Sequence, residues 1–453
     1  MRKIVIVLGI IFLSMAAVSP CWSGGQQPGQ VAAEQPTEPS EINVLLMASA
    51  TGTGLNDMLA DFESKHPLIE VKELTYAPAA GYDTKVELEL AAGGGAYDVI
   101  WATGRSYSRW ALNGWIVELG PIIDDPQWTD AASFNFNDFL GGSLRFLDVD
   151  GKLYALPILN TTQVMFYRGD IFEKYGIAKP PDTWDELMEV ASKIHTPEVG
   201  AIGMRGSRVR GGVMWPFPQV LYGFGGRIVK DFPKDMHPVF DSPEAIKAAE
   251  YYAELLQKYG YKGTLSAQYK DVSLAMQQGK MAILIDGFPG VGPYEDPEKS
   301  TVAGKLRFHY VPGGPAGRWP AFGAHGLALT EGSQNKEAGW EFIKWTLSTD
   351  RQLRAGLEKN EMALTRKSVL IHPDYIAKFN YADGELMRVL AEQFDKQVRS
   401  FYRPMTAEWG EVEDATALAM SNVLAGEQDA ASALKEANRE LYEIYKEAGY
   451  YTE

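Results

Sequence analysis

The chain has 453 residues, of which 45% are hydrophobic and 23% are charged, and this ordinary globular composition excludes disorder of the whole chain. Its 43 basic and 59 acidic residues give a net charge of −16, which disfavours nucleic acid and anionic membrane surfaces as partners. At the usual size of domains, the length predicts two to three domains or one large two-lobed unit.

Cysteine and histidine usage narrows the possible chemistry. Cys21 is the only cysteine, so a disulfide framework, a thiolate zinc site and an iron–sulfur cluster are impossible within one chain. The six histidines are scattered and form no H-E-x-x-H sequence, and neither Gly279-Lys280 nor Gly304-Lys305 has the upstream glycine of a phosphate-binding loop. We therefore expect neither a metalloprotease nor a P-loop nucleotidase, and we expect no cofactor and no metal.

The start of the chain has the pattern of an export signal. Arg2 and Lys3 precede an uncharged run at residues 4–18. This run is shorter than the roughly 20 residues that a transmembrane helix needs. We expect residues 1–23 to be a signal peptide and residues 24–40, rich in Gly, Gln, Pro and Glu, to be a flexible linker.

Two ways of processing this signal remain open. Cys21 stands where a bacterial lipoprotein carries its lipidated cysteine, although Pro20 fits the lipoprotein motif poorly. The alternative is ordinary cleavage near Ser23, which would leave a free protein. The linker composition favours lipidation of Cys21.

Strands and helices alternate in the first part of the mature chain. The expected elements are a strand at 42–47, a helix with Leu55, Met58, Leu59 and Phe62 on one face, a strand at 71–76, a helix at 86–92 and a strand at 97–101. This order predicts a mostly parallel sheet covered by helices.

A second alternating block follows residue 150. The expected elements are extended segments at 153–157 and 163–167, a helix with a Thr183–Glu186 capping box, a helix that begins at Ser242-Pro243 and ends at Gly260, a strand at 281–285, a strand at 324–329, a helix containing Trp340, and a largely helical region from Gly384. Two α/β blocks predict a ligand site beyond the carboxyl ends of the strands, in a cleft between lobes.

Five segments resemble one family in the same order. They are YDVIWATGRSYSRWALNGWIVEL from Tyr97, GKLYALPILNTTQVMFYRGDIFEKYGI from Gly151, PPDTWDELMEVASKI from Pro180, MQQGKMAILIDG from Met276 and FGAHGLALTEGSQNKEAGWEFIKWTLSTDRQ from Phe322. Together with the signal, they resemble the bacterial extracellular solute-binding proteins of family 1, the carbohydrate-capturing subunits of ABC importers. The resemblance runs from about Ile42 to the end of the chain.

The resemblance implies an α/β fold of the type II periplasmic-binding-protein class, a two-lobed clamshell. Each lobe would be a mostly parallel sheet flanked by helices, with the ligand in the cleft between the lobes. The first lobe would comprise residues 41–158 and 309–350, and the second would comprise residues 164–305 and 355–453. The hinge would include residues 159–164, whose polar side chains fit a crossing strand that faces the cleft.

Carbohydrate binding needs fork-like hydrogen-bond partners and flat rings that stack on sugar C–H groups. In the first lobe and the hinge, the candidates are Ser49, Thr51, Trp101, Arg105, Asn160 and Thr162. The family uses the turn that contains Arg105. The alternatives are core packing for Trp101 and a solvated surface cation for Arg105.

The other candidates follow later strands and loops: Trp215, Asp286, Phe288, His325 and Trp409. By resemblance, Trp215 and Trp409 match positions that are commonly aromatic, and the turn at Asp286 reaches the ligand. His325 departs from the small residues of relatives, which suggests a direct hydrogen bond. Core packing is the alternative for both tryptophans and for His325, and capping of a turn is the alternative for Asp286.

These patterns predict a binding protein and not an enzyme. We expect a monomer in the periplasm or at the outer face of the cytoplasmic membrane that captures a sugar, oligosaccharide or polyol and delivers it to a permease, touching the membrane only through a possible lipid anchor. The alternatives are the same fold binding a polyamine, metal or peptide, and a secreted glycan-active enzyme with two carboxylates about 5–9.5 Å apart. Asp124-Asp125 is a carboxylate pair, but it fits a solvated surface. The Tyr450-Tyr451 pair resembles the paired tyrosines of iron-binding relatives, but it lies outside the expected cleft.

Overall fold

The computed structural model describes residues 38–48, 54–78, 81–362, 365–396 and 403–451. Three residues with predicted roles, Cys21, Ser49 and Thr51, lie outside these ranges. Within the described ranges, no helix has the length and apolar character needed to cross a membrane.

Twelve strands occur in the described residues: β1 Ser40–Met47, β2 Ile69–Ala77, β3 Val99–Ala102, β4 Asp148–Val149, β5 Lys152–Leu153, β6 Leu156–Arg168, β7 Gly200–Gly203, β8 Val229–Asp231, β9 Asp235–Pro238, β10 Met281–Gly287, β11 Leu306–His309 and β12 Phe322–Leu329. The expected extended segment at 163–167 lies within the long strand β6, whereas the one at 153–157 is divided between the end of β5, two residues outside any strand, and the start of β6.

The helices begin with α1 Leu55–Lys65, α2 Tyr82–Ala91, α3 Tyr107–Leu112, α4 Gly120–Asp124, α5 Ala131–Phe134, α6 Gly141–Phe146, α7 Gly169–Lys174, α8 Trp184–Ile194, α9 Phe217–Phe224 and α10 Pro243–Tyr259. They continue with α11 Tyr269–Gln277, α12 Val291–Tyr294, α13 Lys336–Thr346, α14 Thr349–Lys359, α15 Lys367–Leu370, α16 Pro373–Lys378, α17 Glu385–Lys396, α18 Trp409–Ala425 and α19 Ala430–Glu447.

Local sequence explains where two of these helices begin. At α10, the Ser242 hydroxyl accepts a hydrogen bond from the Ala245 backbone at 3.3 Å, and Pro243 occupies the first turn. At α8, the Thr183 hydroxyl accepts from the Glu186 backbone at 3.1 Å, as the capping box predicts. The reciprocal bond shifts by one residue, because the Glu186 carboxylate accepts from the backbone of Asp182 at 2.7 Å.

One mixed sheet joins the two halves of the molecule. Its strand order is β2-β1-β3-β12-β6-β10-β7, and β11 also pairs with β6. The pairs β1–β2, β1–β3 and β7–β10 are parallel, as expected, but every pair that contains β6 or β12 is antiparallel. The reason is that β6 leaves the first half and β12 returns to it, so these two central strands run in opposite directions.

Three clusters of buried side chains define the halves. The first core contains residues between 42 and 159 and between 322 and 355. Alternate residues of β6 face the other two cores: Met165 and Tyr167 face one, and Val164 and Phe166 face the other. We use first lobe for the elements around the first core and second lobe for those around the other two. The exact lobe boundaries stay a prediction.

Candidate ligand-binding site

The strands that cross between the lobes present one polar face. Gly323 of β12 pairs directly with Thr161 of β6, and His325 pairs with Leu159. Directly paired residues share a face of the sheet, and so do residues two positions apart. Thr161, Gly323 and His325 therefore lie on one side of the crossing strands, which we call the cleft face.

Trp215 of the second lobe packs on this cleft face. A methyl group placed at Gly323 would lie 3.3 Å from the Trp215 ring and 3.6 Å from the Thr161 side chain. The Trp215 carbonyl accepts a hydrogen bond from the Gln163 side chain at 3.1 Å, which fixes the loop before α9 against β6. Trp215 is partly exposed, so part of its indole remains accessible.

Trp101 positions His325 and is itself buried. The Trp101 indole N–H donates to Nδ1 of His325 at 2.9 Å, and the Trp101 side chain is 0% exposed. An imidazole that accepts at Nδ1 carries its proton on Nε2. Burial, with a further contribution from the charge of Arg105, lowers the pKa of His325 to about 3. The partly exposed His325 ring is thus a neutral hydrogen-bond donor on the cleft face.

A buried aspartate fixes Arg105. The Arg105 Nε and Nη2 atoms donate to Asp83 Oδ2 at 3.1 and 2.9 Å, and the Thr103 hydroxyl donates to Asp83 Oδ1 at 2.6 Å. Burial alone would raise the pKa of Asp83, but the charge of Arg105 and these hydrogen bonds outweigh it and hold that pKa below its ordinary value. The carboxylate and the guanidinium therefore form a charged, satisfied pair.

The second lobe contains an equivalent pair in Arg205 and Asp286. Arg205 donates from Nε to Asp286 Oδ2 at 2.8 Å and from Nη2 to Asp286 Oδ1, and its Nη1 donates to the Gly211 carbonyl at 2.8 Å. The guanidinium lies 5.7 Å from the Trp215 ring centre and 5.0 Å from that of Tyr269. Asp286 is 1% exposed and Arg205 is 12% exposed, so the arginine is the member of the pair that reaches the surface.

Gly211 lies between the arginines of the two lobes. Its φ of 71° is in the left-handed region, and a methyl group placed there would lie 3.0 Å from Arg105 Nη1. The Gly211 backbone N–H donates to Glu413 Oε1 at 2.7 Å, and the Trp409 indole donates to Glu413 Oε2 at 3.1 Å. Trp409 and Glu413 thus support the loop that meets Arg105.

Other contacts join the lobes next to this site. Arg403 donates to the Gly104 carbonyl at 2.8 Å, and Arg109 of the first lobe forms a 2.8 Å ion pair with Glu411 of the second. Met405 packs against the first core, although Trp409, four residues later, belongs to a core of the second lobe. The lobes therefore contact each other directly around the site.

Charges in this region balance. We call the following residues the cleft cluster: Asp83, Arg105, Arg205, Arg210, Asp286, Arg403, Glu413 and Asp414. Arg210 pairs with Asp414 at 3.0 Å, and Arg403 lies 5.0 Å from the ring centre of Trp409, the indole that donates to Glu413. The four positive charges equal the four negative charges, so the cluster as a whole is neutral. In the described part of the chain, no three His, Cys, Asp or Glu side chains come together as metal ligands.

The structure separates the predicted site residues into two groups. Arg105, Trp215 and His325 lie at the cleft cluster or on the cleft face. Asn160 and Thr162 point to the opposite side of β6, where Asn160 donates to the Ser143 hydroxyl at 3.4 Å and Thr162 accepts from Gln393 at 2.7 Å. Trp101, Asp286, Phe288 and Trp409 are at most 2% exposed, so their side chains support the site from behind.

Sequence reasoning missed four residues of this region. Successive side chains of an extended strand point to opposite faces, so Thr161 lies on the face that Asn160 and Thr162 do not share. This alternation could have indicated Thr161. Arg205 follows strand β7, so the rule that ligands bind beyond the carboxyl ends of strands could have indicated it. No sequence signal pointed to Asp83 or Gly211, whose positions depend on residues far away in the chain.

Comparison with known proteins agrees with this two-lobed architecture. A family model for bacterial extracellular solute-binding proteins matches residues 48–353. The chain belongs to this family. The solute-binding protein of Agrobacterium radiobacter, solved in complex with ribitol, superposes with a TM-score of 0.82 at 25% identity and covers 90% of this chain and 100% of that one.

Two relatives extend the comparison in sequence. A putative binding protein of Brucella abortus is 25% identical over 411 residues, which are 89% of this chain and 93% of the relative. The mannitol-binding protein of Pseudomonas aeruginosa is 27% identical over 294 residues, which are 63% of this chain and 64% of the relative.

Proposed function

We propose that this solute-binding protein captures one small, uncharged polyhydroxylated molecule, a sugar or a polyol, between its lobes and delivers it to the membrane subunits of an ABC transporter. The observation that carries this proposal is the neutral cleft cluster beside the partly exposed indole of Trp215. Similarity to the mannitol-binding and ribitol-bound proteins supports the same ligand class.

The chemistry of the cleft favours hydroxyl groups. Guanidinium N–H groups, the Nε2–H of His325 and the Thr161 hydroxyl offer several donors in fixed directions. A ligand without matching hydroxyl groups would leave these polar groups unpaired, which is a strong basis for selectivity. A polyamine would require an excess of negative charge, and the cleft cluster has none.

The aromatic side chains favour a small ligand. Of the four aromatic residues proposed to stack on a sugar, Trp101, Phe288 and Trp409 are buried and Trp215 alone is partly exposed. Among these four candidates, a single accessible ring matches a monosaccharide or an open-chain polyol better than an oligosaccharide, which needs several stacking positions. We therefore place polyols and monosaccharides ahead of oligosaccharides.

The proposed mechanism is a population shift between open and closed arrangements of the lobes. Arg105 belongs to the first lobe and Arg205 and Trp215 to the second, so a ligand that contacts all three stabilises the closed arrangement. We propose binding and not catalysis, because Asp83, Asp286 and Glu413 are each engaged by fixed donors. A general acid needs a carboxyl group with a raised pKa, and that of Asp83 is lowered.

We further propose a location outside the cytoplasmic membrane, in the periplasm or on the outer face of that membrane. The signal pattern at residues 1–23 supports export, and the linker at 24–40 supports lipid attachment through Cys21. A monomer is the simplest arrangement for a clamshell in which both walls of the cleft belong to one chain.

A thermal-shift screen tests the proposed function. Protein unfolded and refolded to remove bound ligand would be screened against polyols, mono- and oligosaccharides, polyamines and ferric iron. A ligand present at 100 times its dissociation constant stabilises the fold by about 2.7 kcal/mol. We expect stabilisation by polyols or monosaccharides, and stabilisation confined to polyamines or ferric iron would overturn the proposal.

A further inference from the structure

We propose that the buried carboxylates of Asp286 and Asp83 make the cleft selective for uncharged polyhydroxylated ligands over the corresponding sugar acids. Both aspartates would act as positioning residues that neutralise an arginine, while the arginines contact the ligand. This inference rests on the proposed function and adds the residues that set its selectivity.

Geometry separates the two roles in the second lobe. Asp286 is 1% exposed, and its oxygens accept from Arg205 Nε, from Arg205 Nη2 and from the backbone N–H of Gly287. A carboxylate with these donors is already satisfied inside the protein. Asp286 therefore has little capacity left for a direct bond to a ligand hydroxyl.

Arg205 retains donors that Asp286 does not use. A guanidinium has five N–H groups, and the hydrogen bonds to Asp286 and to the Gly211 carbonyl account for three of them. The remaining N–H groups belong to a side chain that lies beside the partly exposed Trp215 and is itself 12% exposed. Arg205 can thus donate to a ligand while Asp286 fixes its orientation.

The first lobe repeats this arrangement. Asp83 is 6% exposed and accepts from Arg105 and from the Thr103 hydroxyl, while Arg105 is 15% exposed. Each lobe thus contributes an arginine whose charge is cancelled by a more deeply buried aspartate. Two fixed arginines without these aspartates would attract a carboxylate strongly, because guanidinium and carboxylate groups pair in a bidentate manner.

Replacing one aspartate by its amide tests the charge balance. The variant Asp286→Asn keeps the size of the side chain but leaves one positive charge in the cluster uncancelled. Binding would be measured by calorimetry for three matched pairs: D-mannitol with D-mannonate, ribitol with D-ribonate, and D-glucose with D-glucuronate. We expect the wild type to prefer the neutral member. In Asp286→Asn, the ratio of acid affinity to neutral affinity should rise on the order of tenfold or more, because a unit charge would lie within bonding range of the ligand.

A matched control separates this effect from a general change in charge. Asp170 forms a bidentate pair with Arg168 in the same lobe, at 2.6 and 2.5 Å, and Asp170 is 44% exposed. It lies beyond the end of β6, outside the cleft cluster. The variant Asp170→Asn changes the net charge equally, and its acid-to-neutral ratio should equal that of the wild type.

Two more variants keep the proposal testable if Asp286→Asn does not fold. Asp83→Asn makes the same change from the first lobe and should shift the ratio in the same direction. The double variant Arg205→Gln with Asp286→Asn removes both charges of this pair and leaves the cluster neutral, so it should retain the preference for the neutral ligand while binding it more weakly.

The outcomes distinguish this inference from the proposed function. A wild type that binds no neutral sugar or polyol, either in these pairs or in the thermal-shift screen, would overturn both. A wild type that binds a neutral member while neither aspartate variant gains relative affinity for the acid would overturn the inference and leave the proposed function intact. A wild type that prefers the acid would also overturn the inference.

Discussion

Trp215 is the residue whose side chain most directly offers a stacking surface. Its ring packs beside Gly323 and Arg205 and remains partly exposed. We predict that Trp215→Ala weakens ligand binding by about 1–3 kcal/mol, because apolar contact with the ligand is lost. Calorimetric titration with the ligand identified by thermal shift measures this change.

Two other tryptophans serve as controls for this prediction. Trp128 is a partly exposed residue of the first lobe outside the cleft cluster, so Trp128→Ala should leave the affinity unchanged. Trp409 is 1% exposed, and Trp409→Ala should lower the free energy of unfolding by about 3–5 kcal/mol. An unchanged affinity in Trp215→Ala would remove this ring from the site.

His325 leads to a prediction about pH. Its pKa in the folded protein is about 3, well below the ordinary value of 6.5, so the ring is neutral throughout the range from pH 5 to pH 8. Its contribution to ligand affinity should therefore be constant over that range. Below pH 6.5 the ring takes up a proton in the unfolded chain but not in the folded protein. The contribution of His325 to the free energy of unfolding is therefore complete above pH 6.5 and falls as the pH drops toward 3.

Denaturant unfolding of the wild type and of His325→Gln at pH 7 and pH 4.5 checks this sign. Glutamine cannot take up the proton, so the variant should lose less stability on acidification than the wild type. An equal loss in both proteins would show that His325 titrates normally in the folded state. A change in wild-type affinity between pH 5 and pH 8 that is absent from His325→Gln would also contradict this account.

Residue identity could be predicted from sequence better than residue orientation. Trp215, His325 and Arg105 were predicted because their aromatic, imidazole and guanidinium groups suit carbohydrate chemistry, and the structure places all three at the cleft cluster or on the cleft face. The face of β6 was assigned wrongly for Asn160 and Thr162, since a polar run in an extended strand must alternate sides. Arg205 is recognisable only beside Asp286, which lies 81 positions later in the chain.

The crossing strands β6 and β12 determine how much room the site has. Gly323 leaves space for the Trp215 ring, and a methyl group there would lie 3.3 Å from it. We predict that Gly323→Ala displaces the indole and weakens ligand binding several-fold with only a small loss of stability, because a partly exposed ring can shift. Equilibrium titration and thermal unfolding together check this prediction.

Gly326 in the same strand is the matched comparison. A methyl group at Gly326 would lie 2.6 Å from Ala155 in the first core, where neighbours cannot move easily. Gly326→Ala should therefore lower stability by about 1–3 kcal/mol. If Gly323→Ala bound the ligand as tightly as the wild type, the proposed contact between Trp215 and the ligand would lose its support.

Hydrophobic periodicity and capping signals predicted many of the longer elements, because both depend on neighbouring residues. The helices at Leu55–Lys65 and Pro243–Tyr259 and the strand at Met281–Gly287 are examples. The antiparallel pairing of β6 and β12 could not be predicted in the same way. It joins Thr161 with Gly323, and no local pattern specifies the partner of a strand so far away.

The two lobes are held near each other by contacts that no ligand provides. Arg109 of α3 and Glu411 of α18 form an ion pair at 2.8 Å whose side chains are 33% and 52% exposed. Exposed pairs contribute about 0.2–1 kcal/mol. We predict that Glu411→Gln weakens ligand binding up to roughly fivefold, because the closed arrangement loses this contribution. The difference should shrink at high salt.

Charge exchange and a control pair complete this test. Exchanging the charges in the double variant Arg109→Glu with Glu411→Arg should restore part of the affinity. Lys258 and Glu254 form an exposed pair within α10 at 2.7 Å, and Glu254→Gln should leave the affinity unchanged. Equal affinities of the wild type and Glu411→Gln at low salt would mean that this pair does not bias closure.

At the scale of the whole molecule, the alternation of strands and helices predicted an α/β fold, and the resemblance of five ordered segments to solute-binding proteins predicted two lobes. The family match over residues 48–353 and the superposition on the ribitol-bound protein confirm the two-lobed fold. The direct contacts between lobes, such as Arg403 with the Gly104 carbonyl, depend on tertiary geometry and could not be predicted.

A crystal structure of the complex with the compound that gives the largest thermal shift tests the central claim most directly. We predict one small, uncharged polyhydroxylated molecule between the lobes, stacked on Trp215 and hydrogen-bonded to Arg205 and His325. A ligand bound on an outer surface, or between the lobes but away from these three side chains, would contradict the account.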